Sequence, residues 1–192
     1  DHTQFLGDTL KAIAYEKGGI IKRNIPVVIG ETQKETQPVF KHLAEHQHSK
    51  IYFSDQLITS NIESDLKGSY QVNNIKTVLQ TIDVLKTKAF NISDDNIKHG
   101  LMSVVKNTGL KGRWQTLGEN PKIICDTAHN KEGLAYVFNQ IKNEHYNRLH
   151  IVFGVVNDKD LSSVFPLLPK KATYYLSKPN IARGLDEKVL EQ

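Results

Sequence analysis

The sequence predicts an α/β fold with a mostly parallel sheet, and three observations carry that prediction. Short apolar segments of strand length alternate with amphipathic helical stretches in both halves of the chain, the order that builds parallel ladders with helical crossovers. Polar side chains gather at Asp126-Thr-Ala-His-Asn130, where an apolar strand stops and a helix starts, the junction at which open α/β sheets hold their ligands. The chain has 192 residues, 39% of them apolar, which is enough to bury a core in one ordinary domain or two small ones.

The elements follow in order. Asp8 is positioned to cap a short helix running to Lys17, with Leu6, Leu10, Ile13 and Ala14 on one face and Gly18-Gly19 ending it. Strand 25–30, helix 36–48 and strand 50–54 then make one strand–helix–strand unit, the helix carrying Val39, Phe40, Leu43 and Ala44 as its apolar residues. Ile75, Val78, Leu79, Ile82 and Leu85 mark a long helix, and Ile97, Leu101, Val104 and Val105 a second, capped by Ser93-Asp94-Asp95. The glycine-punctuated stretch 106–112 reads as a linker, which divides the chain into domains 1–109 and 110–192. Beyond it the expected order is strand 122–126, helix 131–144, strand 149–156, helix 160–168 and strand 173–177. Right-handed crossovers make these three strands parallel neighbours and bring Asp126, the turn from Gly154 to Asp158, and Ser177 to one sheet edge. A three-stranded sheet is small for such a domain, so the carboxyl end is expected to be truncated.

Composition narrows the function classes. The net charge of +4 suits acidic ligands such as nucleotides or polycarboxylates, but the basic residues are scattered, which argues for a solvated surface and against nucleic-acid binding. No apolar run approaches the roughly 18 residues that a membrane span needs, and no signal-peptide pattern opens the chain, so the expected compartment is the cytoplasm. The single cysteine, Cys125, excludes an intramolecular disulfide and a Cys-based zinc cluster, and its strand position predicts a buried, inert thiol. Neither glycine-rich phosphate loop, G-x-x-x-x-G-K-[ST] or G-x-G-x-x-G, is present, so a nucleotide site in this chain is incomplete.

Each candidate group has a structural reading and a functional one. Lys17 in Glu16-Lys-Gly-Gly19 complements a helix dipole, and His2 is an ordinary loop histidine, unless both face one phosphate or metal site. Arg113, in Gly112-Arg-Trp114, either pairs structurally beside a core tryptophan or forks onto phosphate oxygens. Asp126 caps or closes a turn, or else accepts from a ligand hydroxyl or orders a metal-bound water, with His129 facing a carboxylate substrate. Asn130 is a competent cap for the following helix.

Six motifs together carry a resemblance: Asp1-His-Thr-Gln-Phe-Leu-Gly7, Ile13-Ala-Tyr-Glu-Lys-Gly-Gly-Ile-Ile-Lys22, Gly68-Ser-Tyr-Gln-Val-Asn-Asn74, Gly112-Arg-Trp114, Asp126-Thr-Ala-His-Asn130 and Gly154-Val-Val-Asn-Asp-Lys-Asp160. In order and spacing, along nearly the whole chain, they resemble folylpolyglutamate synthase/dihydrofolate synthase of the Mur ligase superfamily. The resemblance implies the end of a Mur-ligase-type central ATPase domain, followed by a Rossmann-like carboxyl-terminal domain, with the active site in the cleft between them. It implies ATP-dependent joining of L-glutamate to a folate or dihydropteroate carboxylate through an acyl phosphate, with Mg²⁺ as cofactor.

By motif, His2 is the implied magnesium ligand and Lys17 the lysine carbamylated by carbon dioxide, which converts an ammonium into an oxygen donor suited to a hard cation. Asn74 is the implied adenine contact, Arg113 and Asp126 reach ATP, and His129 lies toward the incoming glutamate. Two departures stand out: Gly18 replaces the alanine usual in Glu-Lys-Ala-Gly, which loosens the helix end, and Lys131 replaces a common proline, which softens the turn before it. The family's phosphate loop belongs upstream of Asp1, so the chain is expected to be a fragment with no turnover alone. The implied partners are small molecules, with no nucleic acid and no membrane, acting on a monomer. Another Mur-type amino-acid ligase, or a non-catalytic nucleotide-binding module, remains the alternative.

Overall fold

The computed structural model describes residues 6–60, 62–158 and 161–191. The chain divides into two compact units, Asp1–Leu110 and Lys111–Gln192.

The first unit opens with α1 (Leu10–Gly18), whose amino end is capped by Thr9: its hydroxyl accepts from the Ala12 N–H at 3.1 Å. This corrects the assignment to Asp8, because the side chain in the capping position is the one whose own backbone is extended, and that is Thr9. Next come β1 (Val27–Ile29), α2 (Gln37–His46) and β2 (Ile51–Phe53), a parallel pair in the register Val27 to Ile51 with the helix as its crossover. The strands are shorter than the apolar runs that predict them, because Pro26 has no N–H to donate and Ser54 already begins the short helix α3 (Ser54–Leu57).

α4 (Gln71–Lys86) is the long helix and packs on β1. The expected second helix is two: α5 (Asp94–Met102), with a full Ser93/Asn96 capping box, and α6 (Val104–Thr108), ended by Gly109 at φ +67°. Among the described residues, Ala14, Ile21, Ala44, Phe53, Leu79 and Leu101 are the buried apolar residues of this unit.

The second unit has β3 (Gln115–Glu119) and β4 (Lys122–Cys125) as an antiparallel hairpin, then α7 (Lys131–Ile141), β5 (Leu149–Phe153) and β6 (Ala172–Leu176), and ends with α8 (Glu187–Leu190). β5 and β6 are parallel, in register from Leu149 with Ala172 to Phe153 with Leu176. The α/β class with parallel ladders is as expected, but the three-strand parallel arrangement is not: the ladder partner of β4 is β3, a polar strand that the apolar pattern does not reveal. In that position Cys125 is half-buried rather than fully buried.

The expected helix 160–168 is also corrected: Lys159 and Asp160 lie outside the described residues, and the segment after them forms only a 3₁₀ turn at Phe165–Leu167. Pro166 and Pro169 supply no N–H to extend it. Trp114, Leu134, Val137, Phe138, Phe153, Val155, Val164 and Leu190 form the core of this unit, with the apolar face of α7 at its centre. At the carboxyl ends of β5 and β6, Gly154 and Ser177 meet as expected, so closely that a β-carbon on Gly154 would lie 2.3 Å from the Ser177 carbonyl oxygen.

Candidate functional site

Gly112-Arg-Trp114 and Asp126-Thr-Ala-His-Asn130, read separately from the sequence, form one knot in the structure. Gly112 and Trp114 are both in the left-handed backbone region, at φ +68° and +50°. Glycine takes this conformation freely, whereas tryptophan is strained there and stays only where its surroundings fix it. Asp126 supplies the fixing: its Oδ2 accepts from the Trp114 N–H at 2.7 Å, and its Oδ1 accepts from the Ala128 N–H at 2.8 Å. One half-buried carboxylate thus ties both turns together, while the Trp114 indole is sunk in the core at 5% exposure.

The remaining bonds of the knot run through Thr127 and Gln115. The Thr127 N–H donates to the Gly112 carbonyl at 2.9 Å, and the Thr127 hydroxyl donates to the same oxygen at 3.1 Å. Arg113 Nη1 donates to the Gly112 carbonyl at 3.2 Å and to the Thr127 hydroxyl. The Gln115 Oε1 accepts from the Gly112 N–H at 2.9 Å. Arg113 is exposed, so a permanent cation stands at the surface on a turn that side chains have immobilised.

His129 is exposed beside it, with Nδ1 3.0 Å from the Thr127 carbonyl oxygen. With Nδ1 donating there, Nε2 is the basic nitrogen of the neutral ring. Asn130 caps α7, its Oδ1 accepting from the Gly133 N–H at 2.8 Å, as the sequence predicts. With that side-chain bond present, Lys131 in place of proline does not leave the turn without a cap.

The candidates of the first unit stand on helices. Lys17 is exposed in the last turn of α1. The neighbouring Gly18 is buried, and a β-carbon there would lie 2.3 Å from Leu43 Cδ1. The glycine therefore admits close packing of α1 on α2, a role the sequence does not reveal. Asn74 is exposed in the first turns of α4, its Nδ2 donating to Gln71 Oε1 at 2.9 Å, and it heads a shallow groove with Thr77, Val78, Thr81 and Ile82.

A set of polar residues that no sequence motif marks positions α4. Ser54, fully buried, donates to the Gly30 carbonyl at 3.1 Å and lies 3.3 Å from the Thr77 hydroxyl, which itself donates to the Asn73 carbonyl. Asp55 accepts from both the N–H and the hydroxyl of Thr32, closing the carboxyl edge of β1 and β2. Their sequence signal is weak, a Ser-Asp pair after an apolar strand and a threonine just past another.

Lys17 and Asn74 share no hydrogen bond among the described residues, and His2 lies outside those residues. Among the described residues no three His, Cys, Asp or Glu side chains converge to hold a metal ion, and no helix is long and apolar enough to cross a membrane.

Residues 112–192 match the Mur ligase glutamate ligase domain, and the knot is the amino-terminal part of that match. In sequence the chain is similar to folylpolyglutamate synthase/dihydrofolate synthase enzymes. It is 32% identical to a probable dihydrofolate synthetase of Schizosaccharomyces pombe over 89% of its own length and 45% of that protein's. It is 28% identical to the dihydrofolate synthase/folylpolyglutamate synthase of Bacillus subtilis, over 88% of the chain and 44% of that protein. Among solved structures, an FPGS–AMPPCP–folate complex superposes with a TM-score of 0.79 at 27% identity, over 93% of this chain and 49% of that one. The chain thus spans less than half the length of these relatives.

Proposed function

We propose that the protein is an ATP-dependent ligase that joins L-glutamate to a folate or dihydropteroate carboxylate. The observation that carries this reading is the knot itself: in a domain matched to glutamate ligases, Arg113 and His129 are exposed on turns that Asp126 and Thr127 lock together. The nucleotide analogue and folate named for the FPGS complex support ATP and folate as the ligand classes.

In this reading the pterin carboxylate attacks the γ-phosphorus of ATP, giving an acyl phosphate and ADP. The glutamate amine then attacks the acyl carbon, forming the amide bond. Phosphate leaves with the C–O bonding electrons, and the amine gives up a proton. Arg113 holds phosphate oxygens through its fork, as suits a guanidinium that keeps its charge throughout. His129 stands toward the incoming glutamate, Asn74 meets the adenine, and Asp126 reaches the nucleotide. Lys17, as a carbamate formed from its amine and carbon dioxide with loss of a proton, supplies oxygen donors for the acyl phosphate or for magnesium. Magnesium, with His2 among its ligands, would offset charge on the phosphates.

The first unit is the end of a central ATPase domain. The reading takes a cytoplasmic, monomeric enzyme with small-molecule substrates and places turnover in a protein of its relatives' length.

The test is ADP release by the intact protein with dihydropteroate and with tetrahydrofolate, each with and without L-glutamate. Stimulation by one pterin together with glutamate is expected. Release that neither pterin stimulates would remove the folate assignment.

A further inference from the structure

We infer that Thr127 is a positioning residue that holds the Arg113 guanidinium oriented before any ligand arrives. The inference rests on the ligase reading only for naming that ligand as a nucleotide.

Thr127 Oγ1, the Gly112 carbonyl oxygen and Arg113 Nη1 close a three-membered hydrogen-bonded ring. A hydroxyl has one hydrogen and two lone pairs, and here the hydrogen goes to the carbonyl while a lone pair takes the guanidinium proton. A β-hydroxyl residue meets both demands with a single atom. The Thr127 methyl has a second role. It lies 2.5 Å from the place a β-carbon on Gly112 would occupy, so it covers the one residue of the turn that has no side chain.

The consequence for Arg113 follows from its exposure. An exposed arginine samples many rotamers, and a ligand that binds it must freeze them. With Nη1 bonded within the turn, the other guanidinium nitrogens, Nη2 and Nε, are the donors with which Arg113 would meet an anion such as two phosphate oxygens. Asp126 fixes backbone, at the amides of Trp114 and Ala128. Thr127 reaches the charged group itself.

The test compares Thr127→Val, which keeps the shape and the backbone N–H bond but removes the hydroxyl, with Thr127→Ser, which keeps the hydroxyl. In the ¹⁵N-labelled chain the Arg113 Nε–Hε order parameter is expected to fall in Thr127→Val to that of the other exposed arginines, and to stay at the wild-type value in Thr127→Ser. Thr127→Ala, which adds no apolar bulk, gives the same fall and serves if the valine variant does not fold. An unchanged Arg113 order parameter in the variants lacking the hydroxyl would overturn the inference, whatever the ligand proves to be.

In the intact protein, Thr127→Val is expected to weaken ATP about tenfold and to have no further effect in an Arg113→Ala background. An equal loss in both backgrounds overturns the inference, because Thr127 then acts on something other than Arg113. If the wild-type order is as inferred but ATP does not bind, the ligase reading fails and the positioning role stands.

Discussion

The turn at Gly112-Arg-Trp114 and the helix end at Lys17-Gly18 each set a basic residue beside a glycine, and the two glycines do opposite things. Gly112 bends the chain into the left-handed region so that Arg113 projects from a turn tied on both sides by Asp126 and Thr127. Gly18 sits in regular helix and only lets Leu43 approach, so that α1 itself supports Lys17. One side chain is held by a network of its own neighbours, the other by the packing of a whole element. Local substitutions should therefore damage the first site through the fold and the second through its chemistry alone.

Asp126→Ala should give the largest structural effect. It leaves the amides of Trp114 and Ala128 without their acceptor and is expected to destabilise the second unit by about 2–4 kcal/mol. Calorimetry and accelerated amide exchange at those two residues would read the loss, and an effect as large from Lys17→Ala would break the contrast. Gly112→Ala comes next, at about 2 kcal/mol, because alanine is strained at positive φ and its β-carbon meets the Thr127 methyl. Adding Thr127→Ser should return part of that loss in the same melting experiment, since the methyl goes and the hydroxyl stays.

Tyr174→Phe probes the second unit away from the knot. Its hydroxyl donates to the Pro169 carbonyl at 2.9 Å, and removing it should cost about 1 kcal/mol near neutral pH. Burial raises the Tyr174 pKa above its ordinary value of 10.0. The folded state therefore keeps a proton that the unfolded chain releases, and the stability this supplies is complete below pH 10 and lost as pH rises through the folded-state value. Urea denaturation repeated on the alkaline side should show that decline in the wild type and not in Tyr174→Phe. Lys17→Ala should be the mildest for the fold, within about 0.5 kcal/mol, yet abolish turnover of the intact protein and remove the mass increment of bound carbon dioxide. Full activity in that variant would remove the carbamate while leaving the comparison between the two supports untouched.

The parts of the fold legible in the sequence are those written in apolar periodicity or in capping chemistry. Strand β1, helix α2 and strand β2 are read from Val27, Phe40, Leu43 and Tyr52, and the Ser93 and Asn130 caps from their residue type and place. β3 is illegible because Gln115-Thr-Leu-Gly-Glu119 has no alternating apolar face and gains its strand from pairing with β4. The expected helix 160–168 fails because Pro166, within that span, and Pro169, just past it, lack the N–H an α-helix needs. At the candidate site, only the family resemblance assigns Arg113 and Asp126 to one ligand, and no sequence spacing reveals that the Asp126 carboxylate points back to the Trp114 amide. That contact spans a hairpin whose first strand is itself hidden from the apolar pattern. Thr127 escapes notice for the same reason, since its partner lies 15 residues away in sequence.

Trp114 is the only tryptophan in the chain, and it sits at the end of the turn it helps to strain. The molecule therefore contains one indole fluorophore, embedded in the core of the second unit and joined through its own peptide N–H to Asp126. Excited at the red edge of protein absorbance, where the seven tyrosines stay dark, its emission colour and anisotropy follow the opening of that turn without any label. The seven tyrosines lie in both units, so only the indole gives a signal confined to the knot.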